Sequence, residues 1–206
     1  MFNKFKKRAN TVGGFIKYYG IEDYWLNTLT TKEHDEVKHR WSLGLNTNPH
    51  QIDKGNIKHT DSSKSNFLIV MAEGISDLSI KDHLLQWSIR EQKPDVIDSH
   101  FNFMMISNEY KKMIKSDKAY YLQQIEVLEK DCHLYDEFSK EYPKLDYVSK
   151  EEDLPNYPSF KELAIAYERT GRIQEAIDIS QVALDKKVNE KTSFEGRISK
   201  LKKKLT

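Results

Sequence analysis

The chain has 206 residues, a net charge of +1, and 38% apolar against 32% charged residues. That balance suits one or at most two soluble domains of amphipathic elements and argues against a disordered chain. Near-neutrality removes any global field that would advertise nucleic acid or a membrane surface. The single cysteine, Cys132, excludes an internal disulfide framework and a multi-cysteine metal site, and a cytoplasmic location is the default expectation.

Met1–Gly20 is a basic N-terminal segment with Lys4, Lys6, Lys7, Arg8 and Lys17 among Phe2, Phe5, Phe15 and Ile16. It lacks an apolar h-region and a small-residue cleavage site. A surface-lying membrane helix would look similar, but Gly13-Gly14 interrupts it, so a frayed start to a soluble helix is the reading preferred. No membrane insertion is expected, since the longest apolar run, Phe67–Ala72, is far too short to span a bilayer.

Eight glycines and five prolines supply few turns for an all-β protein, and helical spacing recurs throughout. Gly13–Leu29 is aromatic-rich. Thr30 and Glu33 form a capping box that starts a helix ending near Trp41 or Leu43. The polar stretch 44–65 is long for a compact domain and reads as a mobile insertion rather than a binding loop. Asn66–Gly74 predicts a short apolar helix, and Ser79 is placed to cap another over Ile80–Gln92, closed by Pro94. Asp95–Lys115 and Lys118–Tyr142 predict a pair of long helices, followed by a proline-containing linker over Pro143–Pro158. Ser159 with Glu162, and Thr192 with Glu195, are two further capping boxes. The second opens a C-terminal helix carrying Phe194, Ile198, Leu201 and Leu205 on one face.

The organisation expected is a basic segment (1–20), an irregular helical region (21–142) and a C-terminal part (143–206), together forming one continuous domain. The most specific pattern lies at Pro158–Lys187. Phe160, Leu163, Ala164 and Tyr167 precede Gly171, and Ala176, Ser180 and Ala183 follow it. Phe160, Leu163 and Tyr167 give the first helix one buried face, and Ala164 and Ala176 let two backbones approach. A larger side chain there would overpack by roughly 1–3 kcal/mol. Gly171 can adopt the left-handed conformation that ends a helix.

This pattern, over 157–190, resembles a tetratricopeptide repeat of bacterial or phage type, in which two antiparallel helices pack within a 34-residue unit. Ser180 and Val188 depart from it. The first implies a looser core, the second a helix that runs on or frays instead of stopping sharply. A degenerate copy at about 100–133 keeps the spacing at Phe103, Ile106, Ser107, Tyr110 and Ala119, with Gln123 and Glu126 at later core positions. One repeat cannot bury its own face, so helices from the N-terminal region are expected to complete the stack. The resemblance implies an all-α fold of helical hairpins in a short irregular solenoid, closed by a C-terminal capping helix.

Such repeats bind peptides in a groove lined by their first helices. Carried over by position, the ligand-facing residues are Lys161, Ile165, Glu168 and Arg169, with Met104, Asn108, Lys111 and Lys112 in the fainter copy. Ile165 stands where a carboxylate clamp would need asparagine, so that clamp is not expected.

Catalytic readings find little support. Glu36 and His39 have metal-ligand spacing on a helix, but no second Glu-x-x-His accompanies them, and the seven histidines read as surface residues. Asp98, Ser99 and His100 are adjacent without making a triad. No phosphate loop, dinucleotide fingerprint or nucleophile elbow is present. Cys132 reads as a small core residue. No cofactor, metal or enzymatic activity is expected.

Lys186–Thr206 carries a local charge of +6 and Glu126–Asp153 one of −6. The basic end fits an intramolecular pairing, a homo-oligomer contact or an acidic partner. The expected role is therefore a protein- or peptide-binding module. The alternative is a nucleic-acid-associated regulator that contacts phosphate through the basic C-terminal helix.

Overall fold

The computed structural model describes residues 12–45, 48–146, 148, 154–189 and 193–205. The protein is all-α: ten helices and three short 3₁₀ turns, with no strand among the described residues. It divides into two compact units, Met1–Ser88 and Ile89–Thr206.

In the first unit, α1 (Gly14–Tyr18) and α2 (Glu22–Asn27) lead into α3 (Thr31–Leu45). The Glu33 amide donates to Thr30 Oγ1 at 3.3 Å, and Glu33 Oε2 accepts from the Thr30 amide at 2.6 Å, the reciprocal geometry of a capping box. α4 (Lys64–Gly74) packs on α3 and is apolar nearly all round, as a central helix must be. Phe67 on α4 stacks into an aromatic cluster with Phe15, Tyr19 and Trp41.

The stretch 44–65, expected as a mobile insertion, packs its described part against α1. Its described part turns through a 3₁₀ element at Pro49–Gln51 and buries Ile52 completely. The Gly14 amide donates to the Gly55 carbonyl at 2.9 Å, and the Ile16 amide donates to the Ile52 carbonyl at 2.9 Å. Gly14 is left-handed (φ 60), and a Cβ there would sit 2.1 Å from the Gln51 carbonyl oxygen. The Gly13-Gly14 pair is thus a docking point for this loop. α5 (Leu78–Arg90) is capped by Asp77, whose Oδ1 accepts from the amides of Ser79 and Ile80, so Ser79 is not the cap. The division between the units falls inside α5.

The second unit holds α6 (Val96–Met113), α7 (Tyr121–Glu141), α8 (Ser159–Arg169), α9 (Ile173–Asp185) and α10 (Phe194–Lys202). Each packs against the next in chain order. Phe103, Ile106, Ser107 and Tyr110 are buried on α6. Ala119, expected at a close helix approach, is exposed because it lies in a 3₁₀ turn ahead of α7. Glu126 is also exposed. The buried stripe of α7 runs instead through Ile125, Leu128, Cys132, Tyr135 and Phe138.

α8 and α9 form a helical hairpin. At its closed end Gly171 has φ 80, the Arg172 amide donates to the Tyr167 carbonyl at 2.8 Å, and the Gly171 amide donates to the Glu168 carbonyl at 3.3 Å. Both bonds of a Schellman motif are present. At its open end the Tyr157 amide donates to the Asn189 carbonyl at 3.1 Å, which fixes the two helices as antiparallel. Ala164 and Ala176 are fully buried between them.

Two departures from the repeat pattern resolve locally. Ser180 is fully buried, and its hydroxyl donates to the Ala176 carbonyl at 2.6 Å, so the polar group is satisfied within its own helix. α9 does not fray. The Val188 and Lys187 amides donate to the Ala183 and Leu184 carbonyls, each at 3.0 Å, in a second Schellman motif with Lys187 at φ 53.

Ser159 does not cap α8. Its hydroxyl donates to Asp131 Oδ2 on α7. Asp131, fully buried, also accepts from the Tyr157 hydroxyl at 2.9 Å and bonds His100 Nδ1 at 2.9 Å. One carboxylate therefore fastens α6, α7 and the start of α8. Thr192 lies outside the described residues. Ser193 caps α10 by accepting from the Gly196 amide at 3.3 Å. Phe194, Ile198 and Leu201 are buried, whereas Leu205, predicted on the same face, follows the end of the helix and is exposed.

Candidate functional site

α8 carries Ile165, Glu168 and Arg169, and α10, which packs on α9, reaches α8 through Arg197 and Lys204. The capping serine starts α10 at Ser193, and burial of Ile198 and Leu201 sets its rotation. That rotation turns Arg197 and Lys204 toward α8. The result is a cleft of about 600 Å³ whose lining includes Glu168, Gly196, Arg197, Lys200, Leu201 and Lys204. A contiguous hollow takes in Ile165 and Arg169.

Glu168 is the electrostatic centre of this cleft. Lys204 Nζ lies 2.6 Å from one carboxylate oxygen and Arg197 3.6 Å from the other. The Lys204 hydrogen bond chiefly holds the Glu168 carboxyl below the usual glutamate range; burial opposes this, and Arg197 and Arg169 add to it. Lys200 and Arg169 are exposed at the rim. Lys200 has no ion-pair partner among the described residues.

Three of the eight predicted ligand-facing residues, Ile165, Glu168 and Arg169, therefore meet in one cleft. Lys161 is one helical turn ahead of Ile165 and is partly buried. The α6 set does not join that cleft. Met104 is partly buried and Asn108 exposed; Lys112 pairs with Glu109 on its own helix. Lys111 reaches α8, donating to Glu162 Oε2 at 2.8 Å. Arg197, Lys200 and Lys204 were not foreseen as site residues. Their spacing of i, i+3 and i+7 in a basic C-terminus was the available signal.

Several other chemistry-bearing residues have structural partners. His100 is buried rather than on the surface, stacks on Tyr157 at 4.1 Å, and directs Nδ1 at Asp131. Ser159 also spends its hydroxyl on Asp131. The histidine and the serine share a carboxylate and do not form a relay. Burial pushes the Cys132 thiol well up, with Asp131 and Glu129 adding to the effect, so it stays protonated. In the first unit His34 stacks on Trp25 at 4.1 Å. Glu36 accepts from the Ser76 amide and hydroxyl, both at 3.1 Å, which gives that carboxylate a structural partner ahead of α5. Among the described residues no group of three or more His, Cys, Asp or Glu gathers as a metal site, and no helix is long and apolar enough to cross a membrane.

No protein-family model matches the chain, and no curated protein or solved structure is significantly similar to it. The all-α fold class is established by the helices themselves.

Proposed function

We propose that this protein is a protein- or peptide-binding module of tetratricopeptide-like build, without catalytic activity, that works in the cytoplasm of a bacterium or of a phage-infected cell. The observation that carries the reading is the α8–α10 cleft, in which Ile165, Glu168 and Arg169 face Arg197 and Lys204. Helix-after-helix packing in the second unit and the Gly171 hairpin support the repeat-like build. A groove between the first helix of a repeat and the helix that follows the hairpin is the surface such an array offers to a ligand.

The test is affinity capture from the native host with wild type and with Arg169→Glu/Lys200→Glu, both exposed and remote from the core. Partners bound through the cleft are lost from the double variant; partners retained in full place binding elsewhere and refute the reading. The second reading, phosphate contact through α10, is favoured by the exposed Lys200 and Lys202 on one short helix. It is weakened by the commitment of Arg197 and Lys204 to Glu168.

A further inference from the structure

Among its described lining residues the cleft holds more cations than acids. Arg169, Arg197, Lys200 and Lys204 lie around the Glu168 carboxylate. The cleft's apolar lining comes from the aliphatic stems of Arg197, Lys200 and Lys204 over the buried Leu201, with the partly buried Ile165 in the adjoining hollow, and Gly196 presents no side chain. We infer that the cleft docks an acidic, amphipathic segment of a partner protein, and that Glu168 is an internal competitor that a ligand carboxylate must displace from Lys204. This inference rests on the protein-binding reading above.

The two arms of the Glu168 pairing differ. The Arg197 side chain is 16% exposed and sits 3.6 Å away, whereas the Lys204 side chain is 56% exposed on a short contact. An exposed ammonium in water is held weakly and exchanges readily between carboxylates. A ligand carboxylate can take over Lys204 and Lys200 at the rim while Arg197 keeps Glu168 in place. Apolar side chains of the same segment then cover Ile165 and the aliphatic stems of the lining lysines. A polynucleotide would satisfy the cations but makes poor use of this apolar lining, because none of the described lining residues offers an aromatic ring for base stacking. Charge complementarity together with the aliphatic lining selects the acidic peptide.

The test is fluorescence anisotropy with a labelled glutamate–leucine peptide as probe, beside a lysine–leucine peptide and an oligothymidylate. The acidic peptide binds wild type, and binding weakens as salt rises. Glu168→Gln tightens it by roughly threefold or more, the size of one or two surface ion pairs. Lys200→Glu weakens it by about tenfold, since one favourable contact becomes repulsive. Preference for the oligothymidylate, or an unchanged or weaker affinity in a folded Glu168→Gln variant, overturns the inference. If Glu168→Gln loosens α10, Lys204→Gln carries the same test and must weaken binding; no change there also overturns it. Should the acidic probe fail while native partners still require Arg169 and Lys200, the acidic-segment inference falls and the binding-module reading stands.

Discussion

The two ends of α9 make a reciprocal prediction. Each is flanked by a Schellman motif, but the left-handed position holds glycine at 171 and lysine at 187. A Cβ at Gly171 meets nothing within 4 Å, so Gly171→Ala costs only the backbone term. That term is about 1–2 kcal/mol, offset by about 0.4–1 kcal/mol from the stiffer unfolded chain, for a net loss of about 1 kcal/mol. Lys187→Gly reverses the sum and stabilises by about 0.5–1 kcal/mol, with asparagine falling between. For a unit of this size the pair corresponds to melting shifts of about 4 °C per kcal/mol, in opposite directions. Urea and thermal denaturation followed by circular dichroism read both. A neutral Gly171→Ala, or a Lys187→Gly variant less stable than wild type, would contradict the two helix stops.

Gly14→Ala meets the Gln51 carbonyl backbone as well as an unfavourable φ, so a loss above about 3 kcal/mol and rapid proteolysis within 48–65 are expected; a stable, protease-resistant variant would refute the docked loop. Asp131→Ala strands three buried donors and is expected to cost about 3 kcal/mol or more, whereas Asp131→Asn, which keeps acceptor capacity, costs less; equal losses would show that hydrogen bonding at this hub does not matter. Because the folded Glu168 carboxyl titrates below its unfolded value, its stabilisation of α10 is present above the ordinary glutamate range and is lost as pH falls through the lower folded value. Glu168→Gln should remove that segment of the acid-denaturation profile, and an unchanged profile would count against the ion pairs. The Cys132 thiol should resist alkylation in the native protein at pH 8 and react once urea unfolds it; fast native labelling would contradict its burial.

What could be read in the sequence was what depends on near neighbours along the chain. The Thr30–Glu33 box, the stop at Gly171 and the α6, α8 and α9 faces follow from spacing within a few residues, and the structure has them. The capping assignment of Ser159 failed for a tertiary reason, because Asp131, 28 residues earlier, captures its hydroxyl. No local pattern could link His100 to a carboxylate 31 residues away. Ser79 lost its capping role to a carboxylate two residues before it, at Asp77. The expected α7 start at Lys118 gives the wrong register, because Asp117 caps a 3₁₀ turn there and delays the helix to Tyr121. The cleft was half legible. α8's contribution followed from the repeat pattern, but that of α10 depends on how Ile198 and Leu201 dock, and the basic run alone does not reveal it.

Site-specific photocrosslinking in living cells addresses the cleft itself. A benzophenone side chain introduced at Ile165, beside the same group at exposed Leu122 on α7, reports which surface meets a partner. A discrete protein adduct from position 165, absent from 122 and abolished by Arg169→Glu/Lys200→Glu, is the predicted result. Adducts from 122 alone, or crosslinks at 165 only to nucleic acid, would contradict recognition of a protein segment between α8 and α10.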